Sequence, residues 1–286
     1  MKKIKEIFKN NLKIVIAFIL GIIISGTTVY AATILYNANQ VGFDNSDTSL
    51  SSTDVQGALD ELYTKANTWI DPNKEIVAMQ NFNPSSIPSV GNSAVVYDSR
   101  DGNRYIVRRL ADGKVWMTQN LRIINKTISS SDSNLPEGVS WTIPSSSLSN
   151  FSGADKNAAY LNTNFGGYYS FYTATAGWGT SSVSSGTSPR DICPKGWRLP
   201  IGGSSGEFVK LYNKYPSSAL MRKDPGFVLS GNIRINVFGN SSNGYYWSST
   251  VTTADIASSY YISSSSVLLD GGYKDSSGFS VRCIAK

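Results

Sequence analysis

The chain has 286 residues, a formal net charge of +6, two cysteines, no histidine and only 16% charged residues. Without histidine there is no Ser-His-Asp or Cys-His catalytic arrangement and no imidazole zinc site, and two thiolates cannot complete a four-cysteine zinc site. Lys2, Lys3, Lys5 and Lys9 supply much of the excess charge, and no Lys/Arg cluster is interleaved with aromatics on one element, so nucleic acid is not an expected partner. Abundant Ser, Asn, Gly, Thr and Tyr fit a loop-rich extracellular β protein better than a helical bundle.

Residues 1–35 begin lysine-rich, run apolar from Ile14 to Ile24 and close on small residues, the layout of a secretory signal with cleavage after Ala31. The alternative is an uncleaved membrane anchor reaching Leu35, since no charge falls between Lys13 and Asp44. In either case the lysines stay inside and the bulk of the chain is exported, which predicts an extracellular or cell-surface location. Residues 36–68 read as a stalk. Thr53 and Asp54 can cap a short helix whose Val55, Ala58, Leu59 and Leu62 share one face. A helix so short needs a partner, either the following domain or copies of itself in a homo-oligomer.

From residue 69 the pattern changes to strands. Runs at Ala94–Tyr97, Arg104–Leu110 and Lys114–Thr118 are separated by Asp101-Gly102-Asn103 and Asp112-Gly113, which predicts an antiparallel meander with positive-φ turns. Residues 125–191 have few long apolar runs and read as long ordered loops. After "ICPKGWRLP" (192–200), Ser204 or Ser205 is placed to cap a helix with Glu207 in its first turn and Phe208, Leu211 and Tyr212 inside. Strands follow at Phe227–Leu229, Tyr245–Ser249, Ser259–Ile262, Val267–Leu269 and Phe279–Ile284. In the last of these, Phe279, Val281 and Cys283 alternate with Ser280 and Arg282.

The motifs "RRLADGKVWMTQNLR", "ICPKGWRLP", "GYYWSST" and "GFSVRCI", in that order, resemble the Fibrobacter succinogenes major paralogous domain over residues 69–286. That family of exported bacterial modules is similar in turn to the C-type-lectin-like fold and to the formylglycine-generating enzymes. The resemblance implies an α+β domain with a small twisted antiparallel sheet and long loops on one side. Where many relatives carry Cys this chain has Val115, so the pairing of its thiols is inferred afresh.

Export lets Cys193 and Cys283 persist as a disulfide, closing a loop worth roughly 4 kcal/mol. The alternative is a redox or copper-binding thiol pair like that of the formylglycine-generating enzymes, which keep their working cysteines elsewhere in the chain. Arg198 and Glu207 are candidates for an ion pair, and Trp116, Trp197 and Trp247 for the core. Tyr168, Tyr169, Tyr172 and Trp178 lie among Gly, Ser and Thr, and Tyr245, Tyr260 and Tyr261 lie in short strands near polar loops. Such rings supply contact area with a polar tip at low entropic cost and suit a sugar face or a protein epitope. Asn243 and Asp270 add hydrogen bonds to that surface. The lectin tripeptides that chelate sugar through calcium are absent, and "WSST" stands where carboxylates are wanted. The expected activity is binding without metal or cofactor, with a glycan or a surface protein as partner. An enzyme of the formylglycine-generating or glycosidase type and a purely structural subunit are the alternatives.

Overall fold

The structure, a computed structural model, describes Val55, Ala58 and residues 76–146, 158–162, 165–234, 237–238, 242–274 and 276–286. The expected signal or anchor and the expected stalk lie outside the described residues, except for Val55 and Ala58, both helical. Among the described residues no helix is long and apolar enough to cross a membrane. All the other described residues belong to the compact unit Pro72–Lys286.

This unit is mixed, with few helices and mostly strands in curled sheets. It opens with β1 (Val77–Ala78), β2 (Ser93–Tyr97), β3 (Arg104–Arg109) and β4 (Val115–Met117). Short pieces follow: β5 (Lys126–Ser129), β6 (Ser133–Asn134), β7 (Ser140–Ile143), β8 (Ala158–Asn162), β9 (Gly166–Tyr169), helix α1 (Phe171–Ala174) and β10 (Gly186–Thr187). Next come β11 (Asp191–Pro194), β12 (Trp197–Arg198), α2 (Glu207–Lys214) and α3 (Ser218–Lys223). The chain ends with β13 (Ile233–Arg234), β14 (Val237–Phe238), β15 (Asn243–Val251), β16 (Ile256–Ser263), β17 (Val267–Tyr273), β18 (Ser277–Ser280) and β19 (Ile284–Ala285).

The expected opening meander is present as β2–β3–β4, with Gly102 and Gly113 at φ 76° and 83° in its turns, a backbone region that a side chain would disfavour. It forms one sheet in the order β1-β2-β3-β4-β19-β12. A second sheet runs β14-β13-β18-β15-β16-β17, with β9 on β18, β8 on β9 and β10 on β15. The region expected to be loops, 125–191, therefore carries six short strands and a helical turn among its described residues, and β11 begins at its end. Phe227–Leu229, expected as a strand, is not one.

One segment joins the two sheets. β18 belongs to the second; then Leu121 donates to the Val281 carbonyl at 2.9 Å and Met117 to that of Cys283 at 3.0 Å, and β19 completes the first between β4 and β12. The alternation expected in "GFSVRCI" holds, yet both faces are buried. Phe279, Val281 and Cys283 enter a cluster with Trp197, Trp247 and Tyr169. Ser280 and Arg282 turn the other way and are themselves 0% exposed. Arg282 lies over the Phe227 and Tyr246 rings of a second cluster that contains Trp116, Phe208 and Tyr260.

The "ICPKGWRLP" turn is held from several sides. The buried Asp191 carboxylate accepts from the N–H groups of Cys193 (2.9 Å) and Leu199 (3.0 Å) and from Asn134 Nδ2 (3.1 Å), bracketing the turn at both ends. Burial pushes its pKa up, against the pull of those donors. Trp197 is fully buried and donates from Nε1 to the Met79 carbonyl at 2.9 Å. The Arg198–Glu207 pair forms at 2.5 Å, and Glu207 also accepts from the Ile201 N–H. Burial alone would raise the Glu207 carboxyl, but these donors hold it below its ordinary value. The expected serine cap does not form. Gly206 is the N-cap of α2 without a side-chain bond, because Glu207 folds back on the turn that precedes the helix.

Cys193 and Cys283 are disulfide-bonded, with Cα atoms 5.9 Å apart, so neither is a free thiol for redox or copper chemistry. An intramolecular disulfide is compatible with an extracellular location. The bond spans 90 residues of sequence and should stabilise by about 4 kcal/mol on the loop-entropy model. Replacing both cysteines by serine is expected to lower the denaturation midpoint accordingly. Reductant should shift the parent chain to the same midpoint and leave the double variant unmoved.

Candidate functional site

Strands β15, β16 and β17 form an antiparallel meander whose register sets residues in rows across the sheet. Tyr245 stands opposite Tyr261, and Tyr261 opposite Leu268. One row on, Trp247 stands opposite Ser259 and Ser259 opposite Asp270; in the other direction Asn243 faces Ser263. Period-two alternation places these rows on one face, while Tyr246, Tyr260 and Ile262 face the second core cluster. Three residues singled out in the sequence, Asn243, Tyr245 and Tyr261, thus share one face of adjacent strands, and Asp270 holds the register position opposite Ser259 on β17.

The rings on this face are continuous with the core. Tyr261 contacts Tyr245 with centroids 5.0 Å apart, Tyr245 stacks on Phe279 at 4.9 Å, Phe279 meets Trp247 at 4.2 Å, and Trp247 meets Phe171 at 5.3 Å. Burial decreases along that series, from 0% exposure at Phe171 and Trp247 to half-buried Tyr245 and Tyr261 and then to Leu268 at 57%. The Trp247 ring crosses β16 to reach β17, where a Cβ on Gly272 would lie 2.3 Å from it. Glycine at 272 is what lets the indole lie flat there, with Nε1 donating to the Tyr169 carbonyl at 2.7 Å. Asn243 Oδ1 and Ser259 Oγ, in the rows on either side of Tyr245, are buried and have no hydrogen-bond partner among the described residues. The face therefore grades from buried Trp247 and Ser259 to a packed, half-buried aromatic pair and exposed Leu268, and no row position on it is a lysine or arginine.

The other sequence candidates lie elsewhere. Tyr168 and Tyr169 are 0% exposed, which puts them in the core and out of reach of a ligand. Tyr168 donates to the Ser230 carbonyl and Tyr169 to that of Ile123 at 2.9 Å. Their position follows from β9 pairing with β18, Tyr169 opposite Phe279, which makes β9 an interior strand and not a loop. Tyr172 and Trp178 are half-buried; Tyr172 meets Trp141 edge-on at 5.1 Å, and Trp178 packs against the first core cluster. Trp141 and Leu268 are surface apolar groups that the sequence pattern does not single out. For Leu268 the signal is its place one strand beyond Tyr261, which depends on register. Among the described residues no group of three or more His, Cys, Asp or Glu gathers as metal ligands do.

No family model, no curated protein and no solved structure matches the chain.

The contrast in burial separates core from platform. Tyr169→Ala is expected to cost about 3–5 kcal/mol of stability and Tyr261→Ala less than about 1 kcal/mol, measured by denaturant unfolding. Burial also raises the pKa of Tyr105, Tyr168, Tyr169 and Tyr260 above the ordinary 10.0. The folded state keeps these phenolic protons while the unfolded state releases them near pH 10, so stability is fully present below that pH and falls above it. Arg282 has the opposite sign, because burial lowers it to about 10 from 12.5 and its deprotonation adds stability over the same range. Four phenols against one cation leave a net loss, to be read as a falling denaturation midpoint between about pH 9 and 11.5.

Proposed function

We propose that residues 69–286 form an exported, C-type-lectin-like module of the Fibrobacter succinogenes major paralogous type, which binds a glycan at the bacterial surface through the Tyr245–Tyr261–Leu268 end of β15–β17. The observation that carries this reading is the row Tyr245–Tyr261–Leu268 flanked by Asn243, with its rings backed by Phe279 and Trp247. A pyranose presents an apolar C–H face and an edge of hydroxyls. Rings held in a fixed packed array take the first, and polar side chains at the margin of the row take the second. Because the rings are already packed, little side-chain entropy is lost on binding.

The expected chemistry is recognition without bond-making. The cysteines are joined to each other, the buried carboxylates Asp191 and Glu207 are occupied by the turn they stabilise, and no metal is required by the platform. The chain should therefore bind glycan equally well in the presence of a chelator. Tyr245→Ala and Tyr261→Ala should each weaken binding about tenfold, and Tyr172→Ala should leave it nearly unchanged. A glycan array followed by titration of the variants checks this. Retention of full affinity in both platform variants, or loss only on addition of EDTA, would sink the reading.

A further inference from the structure

Resting on the glycan reading above, we propose that the platform takes several consecutive sugar rings of an uncharged, extended glycan chain laid across the strands, and not a single terminal sugar. The stations are serial: Tyr245 and Tyr261 are 5.0 Å apart between centroids, and Leu268 follows on the next strand, so the row spans about 10 Å at ordinary strand spacing. A row of that length perpendicular to the strands offers one apolar contact after another along a polymer, whereas a terminal sugar would engage one station and leave the others in water. The row is also open at its far end, where Leu268 is 57% exposed and a chain can continue past it.

The charge pattern decides which polymer. None of the row positions from β15, β16 or β17 is a lysine or arginine, and the row next to Tyr245 and Tyr261 ends at the register position of Asp270. The nearest cation along the strand, Lys274, is buried with Nζ donating to the Thr180 and Val183 carbonyls at 2.8 and 2.7 Å. A phosphate- or uronate-bearing chain would find no cation in these rows to offset the desolvation of its charges, which costs affinity, while a neutral chain carries no such penalty.

The test is a titration of the full-length chain with a soluble series of neutral, linear oligosaccharides from monosaccharide to hexasaccharide, in parallel with uronic-acid and phosphorylated chains of equal length. The expected result is an affinity that rises about tenfold from one ring to three and then levels off, with the charged chains weaker at every length. Leu268→Ser, an exposed substitution whose folding is verified by an unchanged thermal midpoint, should remove the gain from the last ring while sparing the binding of shorter ligands. Equal affinity for monosaccharide and trisaccharide overturns the inference and leaves the glycan reading standing, as does a preference for charged chains. Absence of binding to any glycan overturns both. An unchanged length dependence in Leu268→Ser overturns the assignment of the third station.

Discussion

Cys283 lies where the C-terminal segment passes from one sheet to the other, and its bond to Cys193 fixes that crossing to the turn that precedes α2. The residues on either side show how much is suspended from this point. Phe279 and Val281 fill the first core cluster, Ile284 fills the second, and β19 is the strand that holds β12 beside β4. Arg282, between them, donates to Asn120 Oδ1 and to the carbonyls of Pro225 and Gly226, all uncharged oxygens, and lies over Phe227 and Tyr246. A fully buried guanidinium held this way is costly to desolvate, which is why its pKa falls to about 10. The cation endures there because three acceptors and two ring faces surround it, and because the covalent tie one residue later limits the ways the segment can move.

From this crossing the platform inherits its rigidity. Phe279 is one residue from Ser280, whose hydroxyl is shared with Ser230 and Asn120, and it carries the Tyr245 ring on one side and Trp247 on the other. Tyr245 in turn supports Tyr261. A disturbance at the C-terminal segment would therefore reach the surface rings through direct contacts, without any rearrangement of the loops. The loop after α1 is anchored independently, by Lys274 reaching the carbonyls at 180 and 183 and by Gly179 packing against Phe171. The proposed platform is thus an extension of the core, not a set of free loops.

Much of this order was legible in the sequence, and the exceptions have physical causes. Turn glycines at 102 and 113 announced the first meander because only a few residue types accept their φ. The alternating "GFSVRCI" announced a strand, although nothing in it told that both faces would be covered. Tyr168 and Tyr169 were misplaced because Ser, Gly and Asn surround them, a composition that reads as loop. The contrary signal was the Gly166-Gly167 pair, where a Cβ would meet Asn120 at 2.6 Å and the Tyr169 hydroxyl at 2.4 Å. Two adjacent glycines next to aromatics mark close backbone approach as well as turning. The strands between 126 and 194 are hidden because each is two to five residues long, too short for period-two alternation to rise above chance. On β15 and β16 the serines at 248, 249, 258 and 259 are buried, so polarity there did not mean exposure. The rows of the candidate site were out of reach for a further reason: cross-strand neighbours depend on register, and register is decided by tertiary pairing.

A platform of this kind has a definite energetic character. Each ring or aliphatic station contributes on the order of 1 kcal/mol beyond its own desolvation, and the neutral hydrogen bonds at its edge add amounts of similar size. Three such stations would not by themselves overcome the several kcal/mol of translational and rotational freedom lost on association by a wide margin. The proposed binding by one copy would therefore be weak and fast to dissociate. A repetitive polymer would compensate, because a chain that leaves one register finds an equivalent one beside it, and because copies displayed together would engage the same polymer at high effective concentration. Affinity in such a system resides in the number of contacts made at once, and the fixed geometry imposed by the Cys193–Cys283 crossing sets how many of those contacts a single module makes without first ordering itself.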